Sequence, residues 1–139
     1  MPTPQEFIDQ VRTYIDVPFF HTGRDRNGLD CVGLFIAAAH DLGMFVYDDR
    51  NYTRDIDAEY LKRHLLVVCN WIEVGDEKPG DLLLFEVMKN PQHVGVLTAD
   101  RTMIHTYEWP GSGGKVTETV YDKHWKKRLR GAFRWKDWC

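Results

Sequence analysis

The chain has 139 residues, of which 43% are hydrophobic and 13% aromatic, which suits one compact domain over residues 1–139 with a single core of ordinary size. No run approaches the ~18–20 apolar residues of a membrane-spanning helix, and the opening "MPTPQEFIDQVRTYIDV" has acids where a secretory signal has a basic then apolar run, so the expectation is synthesis in the cytoplasm without a signal peptide. The formal net charge of −3 hides a basic end, since Tyr121 to Cys139 carries seven Lys and Arg against two Asp; it reads as a solvated strand edge whose cationic stems cover aromatics, with no specific nucleic acid expected.

Along the chain, "TPQEFIDQVRTYI" opens with Thr3 as N-cap, Pro4 at the first helical position and Glu6 three residues after the cap, followed by Phe7, Val11, Tyr14 and Ile15 at helical spacing. In "NGLDCVGLFIAAAHDLG", Asp30 is the N-cap, Leu34, Phe35, Ala38, Ala39 and Leu42 form the apolar stripe, and Gly43 is the stop. A surface excursion, "MFVYDDRNYTRD", precedes a third helix over "DIDAEYLKRHLLVVCNW", with Cys69 near its end as a small buried hydrophobe. After the turn "EKPGD" the period changes to that of strands: "LLLFEV", "HVGVLT", "TMIHTY", "KVTETVY" and "GAFRW". The fold class is α+β, with N-terminal helices packed on a central antiparallel sheet of about five strands.

Three cysteines at irregular spacing, with no C-x-x-C pair, speak against a disulfide framework. Cys31 falls in the first turn of the second helix, where unpaired N–H groups and the macrodipole favour a thiolate. Asp30 beside it would oppose that slightly. Of the six histidines, His40, His64 and His124 sit at polar positions, which leaves His21, His93 and His105. His93 starts one strand and His105 lies in the next, with "TADR" between them as a hairpin turn. An odd loop such as Thr98 to Asp100 sets His93 opposite His105 on one face, with Val94, Val96 and Ile104 on the other; a two-residue loop pairs His93 with Thr106 or Glu108 instead. With the odd loop the residues form a nucleophile, base and orienter set. Cys31, His93 and His105 are also ligand types for zinc, but no helical His pair or other metal signature accompanies them, and no metal or cofactor is expected.

The stretches "FFHTGRDRNGLDCVGL", "KPGDLLLF", "QHVGVL" and "MIHTY" resemble, in order and spacing, the motifs of the NlpC-type cysteine peptidases, papain-like enzymes that cut peptidoglycan stem peptides. The His21 of "PFFH" and the ending "VTETVYDKHWKKRLRGAFRW" are similar to the branch of that family found in phage tail assembly modules. The resemblance implies a small papain-like domain with Cys31 as nucleophile, His93 as general base and His105 as the residue that orients it. It implies hydrolysis of the γ-D-glutamyl to diamino-acid amide, phage tail-tip proteins as partners, and action at the cell wall from a virion tail. Many family members place a Tyr twelve residues before the nucleophile, where this chain has Phe19; His21, two residues on, is the nearest polar substitute for contact with the oxyanion or substrate. The N–H of Cys31 is one oxyanion donor. Gly95 leaves room for substrate near His93, and "EWPGSGG" forms a lid, a substrate wall or a plain connection. A catalytically weak structural tail-tip module and a secreted peptidoglycan amidase effector are the alternatives.

Overall fold

The computed structural model describes residues 1–53, 56–87, 90–106 and 114–139, and for residues 90–92 the backbone alone. Helix α1 (Pro4–Arg12) is held at its start by a capping box in which Thr3 Oγ1 accepts from the Glu6 N–H and the Glu6 carboxylate accepts from the Thr3 N–H, each at 3.1 Å. Its apolar stripe buries Phe7, Ile8 and Val11. A short antiparallel ribbon, β1 (Arg24–Asp25) with β2 (Gly28–Leu29), delivers the chain into α2 (Cys31–Asp41), which is buried from Val32 to Ala39 and followed by Gly43 at φ 71°. Helix α3 (Ala58–Leu65) follows, with Leu61 and Leu65 buried. Among the described residues no helix is long and apolar enough to cross a membrane.

Among the described residues six strands form one sheet: β3 (Cys69–Ile72), β4 (Leu82–Val87), β5 (Asn90–Leu97), β6 (Thr102–His105), β7 (Thr117–Val120) and β8 (Leu129–Trp135). Their spatial order is β3-β8-β4-β5-β6-β7, every neighbour antiparallel, so the last strand returns to lie between the third and fourth. The period of two divides the side chains between two apolar layers. Leu82, Leu84, Val94, Val96, Ile104 and Phe133 face the helices in the main core, whereas Leu83, Phe85, Leu97, Met103 and Leu129 form a smaller cluster on the other face. Burial on both faces explains why "LLLF" reads as an unbroken apolar run. One turn of helix, α4 (Lys123–Lys126), lies between β7 and β8 and adds Trp125 to the smaller cluster.

The α+β class stands, with two corrections. The main sheet has six strands, with the β1–β2 ribbon in addition, where about five were expected. The third helix ends at Leu65, and Cys69 opens β3, paired with Trp135. Residues 66–68 form a turn in which the Val68 N–H donates to the Leu65 carbonyl at 3.1 Å, and from Cys69 onward the edge of β8 supplies ladder partners that a longer helix would forfeit.

Gly131 sits where β8 bulges against β4, at φ 153°, and an added Cβ would lie 2.0 Å from the Trp71 ring. Gly131→Ala should therefore cost about 2–4 kcal/mol, read as a lowered midpoint in urea unfolding with an unchanged slope.

Candidate active site

The start of α2 is organised by Asp30. Its Oδ1 accepts from the Gly33 N–H at 2.7 Å as N-cap and from Arg24 Nη1 at 3.2 Å, and its Oδ2 accepts from the Thr22 N–H at 2.9 Å and from the Tyr52 hydroxyl. Arg24 in turn donates to Asp48 at 2.9 Å and to the Tyr52 oxygen at 2.8 Å. The Arg24 and Asp30 side chains are 6% and 4% exposed, so this is a buried ion pair whose remaining donors and acceptors are also used. Residues 45–53 form the irregular, exposed or half-buried excursion that the sequence suggests, from which the Tyr52 hydroxyl returns to the base of α2. Burial and the Asp30 carboxylate push that hydroxyl's pKa up, keeping it a neutral donor.

The two histidines stand on adjacent strands. Thr98 and Thr102 close the β5–β6 hairpin, with Ala99, Asp100 and Arg101 as the loop and Arg101 in the left-handed region at φ 60°. The loop is odd, as one of the two registers required, but it starts one residue later than Thr98. His105 therefore lies opposite Gly95, and His93 is its diagonal neighbour on the same face. Val94, Val96 and Ile104 point into the helix-facing core. Gly95 carries no side chain, so the His105 ring can lean across it; His93 Nε2 and His105 Nδ1 are 2.8 Å apart. The space above Gly95 serves His105 and Met103, whose atoms would lie 3.4 Å from an added Cβ; this replaces the expectation that it is left for substrate.

His105 Nε2 is 3.1 Å from Thr119 Oγ1. Two tautomer sets satisfy this chain. In one, His93 Nε2–H donates to His105 Nδ1 and His105 Nε2–H donates to Thr119 Oγ1. Both rings are 4% exposed and packed against Trp125. Burial lowers the pKa of His93 well below the ordinary imidazole value, with His105 adding to it, and burial alone lowers His105 to about 4.

Cys31 is the first residue of α2, and its sulfur meets the backbone N–H of Val94, the residue after His93. The β5–β6 ladder explains how. Thr98 N–H points at β6, so by alternation Val94 N–H points the same way, but the ladder ends at Gly95 and His105. The helix-start expectation of a low thiol pKa is overturned. Burial, then the Asp30 charge, push it up to about 12, against the opposing pull of the Val94 and Cys31 N–H groups. The resting pair is thiol and neutral imidazole.

Phe19 is bridged to Leu29, and its N–H donates to the Gly114 carbonyl at 2.8 Å, which sets it beside the approach to α2. His21 begins a turn, with Thr22 at φ 60°, so the extended alternation that would put His21 on the face of Phe19 stops there. Its ring packs edge-on against Tyr52, 5.5 Å between centroids, which places it over the Asp30 network. The predicted wall "EWPGSGG" lies, apart from Gly114, outside the described residues. Among the described residues no group of three or more His, Cys, Asp or Glu is arranged to hold a metal ion.

The NlpC/P60 family model matches residues 16–134, from before the β1–β2 ribbon into the last strand. The chain belongs to the NlpC/P60 family. No curated protein sequence matches this NlpC/P60 chain at a significant level. Among solved structures it is similar to the NlpC/p60 domain of the peptidoglycan hydrolase SagA (TM-score 0.64, 21% identity, 96% of this chain and 99% of that one). It is also similar to NlpC1 of Trichomonas vaginalis (TM-score 0.69, 20% identity, 95% and 44%) and to the peptidoglycan hydrolase RipB of Mycobacterium tuberculosis (TM-score 0.64, 18% identity, 94% and 63%). At these identities the likeness carries the fold, and the chain spans less than two thirds of the last two proteins.

Sequence reasoning missed Arg24, Tyr52, Thr119 and Trp125. Arg24, Thr119 and Trp125 lie inside the stretches that carry the resemblance, without a role of their own there, Tyr52 lies outside them, and only pairing across the fold brings the four to the site. Thr106, one residue past His105, has a buried hydroxyl without a hydrogen-bond partner among the described residues.

Two tests follow from the charge states. At pH 7 iodoacetamide should modify the exposed Cys139 well before Cys31, and the rate at Cys31 should climb about tenfold per pH unit into the alkaline range; peptide mass mapping that finds Cys31 labelled first at neutral pH contradicts the burial account. The depressed histidine pKa values mean that the unfolded chain binds more protons between about pH 6.5 and 4. Stability is full above that window and falls as pH drops through it, by up to about 1.4 kcal/mol per pH unit for each histidine; urea midpoints at stepped pH measure this, and His105→Gln should flatten the slope.

Proposed function

We propose that this NlpC/P60 chain is a cysteine endopeptidase that hydrolyses the γ-D-glutamyl to diamino-acid amide of peptidoglycan stem peptides, acting at the cell wall as a component of a phage tail. The observation that carries the hydrolase reading is the meeting of α2 and β5: a thiol at a capped helix start, lodged against Val94 N–H beside a buried imidazole pair. Family membership and the fold shared with peptidoglycan hydrolases support the substrate class. The tail assignment is supported by "PFFH" and the C-terminal stretch that resemble that branch.

Because thiol and imidazole are both neutral at rest, attack couples to proton transfer. The Cys31 thiol gives its proton to a ring nitrogen of His93 as sulfur bonds to the amide carbon, and the resulting oxyanion is met by the Cys31 N–H. The imidazolium then protonates the leaving amine as the C–N bond breaks. Water, losing a proton to His93, hydrolyses the thioester and restores the thiol. Throughout, His105 holds the His93 ring and accepts its Nε2 proton in a hydrogen bond, with Thr119 holding His105.

A second reading, a catalytically weak structural tail-tip module, draws on the thiol pKa of about 12 and on Phe19, which brings no hydroxyl to the site. Digestion of Gram-negative peptidoglycan, read by product mass, separates the two. Wild type should make new termini at the D-glutamate to diaminopimelate bond, while Cys31→Ala and His93→Ala, both folded, should lose at least about 10²–10⁴ of that rate. Equal product yield from wild type and Cys31→Ala removes the peptidase reading, and no products from any protein, all folded, favours the structural module.

A further inference from the structure

Trp125 stands on the single turn α4, whose start is capped by Asp122 accepting from the His124 N–H at 3.0 Å. Its ring lies 5.0 Å from His105, 5.8 Å from His93 and 5.3 Å from Phe85, centroid to centroid. Phe85, the cross-strand partner of His93, is 6.1 Å from the His93 ring. His93 is inclined 33° to each of these two aromatic planes, close to stacking, whereas His105 meets Trp125 edge-on at 77°.

We propose that Trp125 is a positioning residue of the candidate site: it orients His93 and His105 and keeps water off the pair. Two uncharged imidazoles packed beneath an indole make a poor core, since apolar residues of similar volume would need no hydrogen-bond partners there. The arrangement is explained by chemistry that needs a dry, fixed base. The basic end of the chain gains a role with it. Lys126 lies over the Tyr121 ring at 5.4 Å, and the His124 carbonyl and ring accept from Arg128, so the cations clamp the turn that presents Trp125. The titratable and hydroxyl groups placed around the histidines, among the described residues, include each other, Thr119 and the cross-strand partner Thr117 on β7, Cys31 at Val94 N–H, and His124, whose ring lies 5.5 Å from that of Trp125.

This role rests on the hydrolase reading, but its test does not need turnover. Histidine Cε1–H resonances of wild type, Trp125→Phe and Trp125→Ala would be followed by NMR between about pH 3 and 8, with fold checked by amide dispersion. The midpoint of His105 should rise in the order wild type, Phe, Ala, by about one pH unit or more for Ala as water enters. In parallel, the acid limb of the kcat/KM profile should move up with the midpoint. At pH 4 the rate relative to the alkaline plateau should fall about fivefold or more for Ala compared with wild type and stay within about threefold of wild type for Phe. An unchanged midpoint in folded Trp125→Phe and Trp125→Ala overturns the proposal. A midpoint that moves as expected, with no turnover from any of the three proteins, sinks the hydrolase reading and leaves the shielding of the histidines by Trp125 standing.

Discussion

The structure depends on one carboxylate. Asp30 caps α2, neutralises a buried arginine, fixes the turn at Thr22 and receives the hydroxyl of Tyr52, and each of these ties a different stretch of chain to the residue before Cys31. Without it the first turn of α2 would lose a donor partner and Arg24 would be left as an uncompensated buried charge, a cost on the order of 3–5 kcal/mol. The same carboxylate acts against the thiolate. Accurate placement of the thiol is thus obtained at the expense of its resting ionisation.

The sheet supplies the complementary half. An antiparallel hairpin with a three-residue loop fixes the parity of every residue along β5 and β6, so the histidines and the helix-facing valines must part to opposite faces. The place where the ladder stops is equally consequential: it frees the Val94 N–H for the Cys31 sulfur. On the far face, Phe85 and Trp125 turn what would be a solvent-exposed polar pair into a dry one. Two apolar layers therefore have distinct duties, the larger one seating α2 against the sheet and the smaller one enclosing the imidazoles.

Much of this was legible in the chain. The capping box at Thr3 and Glu6, the cap at Asp30, the stop near Gly43 and the span of β4 are local signals, written within a few residues of where they act. Cys31, His93 and His105 stood out because residue type and spacing together limit what chemistry is available, and motif order added the family. Where the reading slipped, a long-range partner outweighed the local pattern. Residues 66–69 continue a helical stripe, yet the chain turns at 66–68 and pairs with β8 from Cys69. Tyr52 sits in a polar segment, yet its hydroxyl is drawn to a buried carboxylate twenty-two residues earlier.

By itself, then, the sequence determined the α+β class, the starts of α1 and α2 and most of the strand runs, and it singled out the three residues on which a thiol mechanism would turn, because propensity, capping and periodicity act over a few neighbouring residues. Only the tertiary structure decided the six-strand order, the diagonal histidine register, the high thiol pKa and the enclosure by Trp125. Each of these depends on which groups are dehydrated together, and dehydration is set by contacts between segments that the chain keeps tens of residues apart.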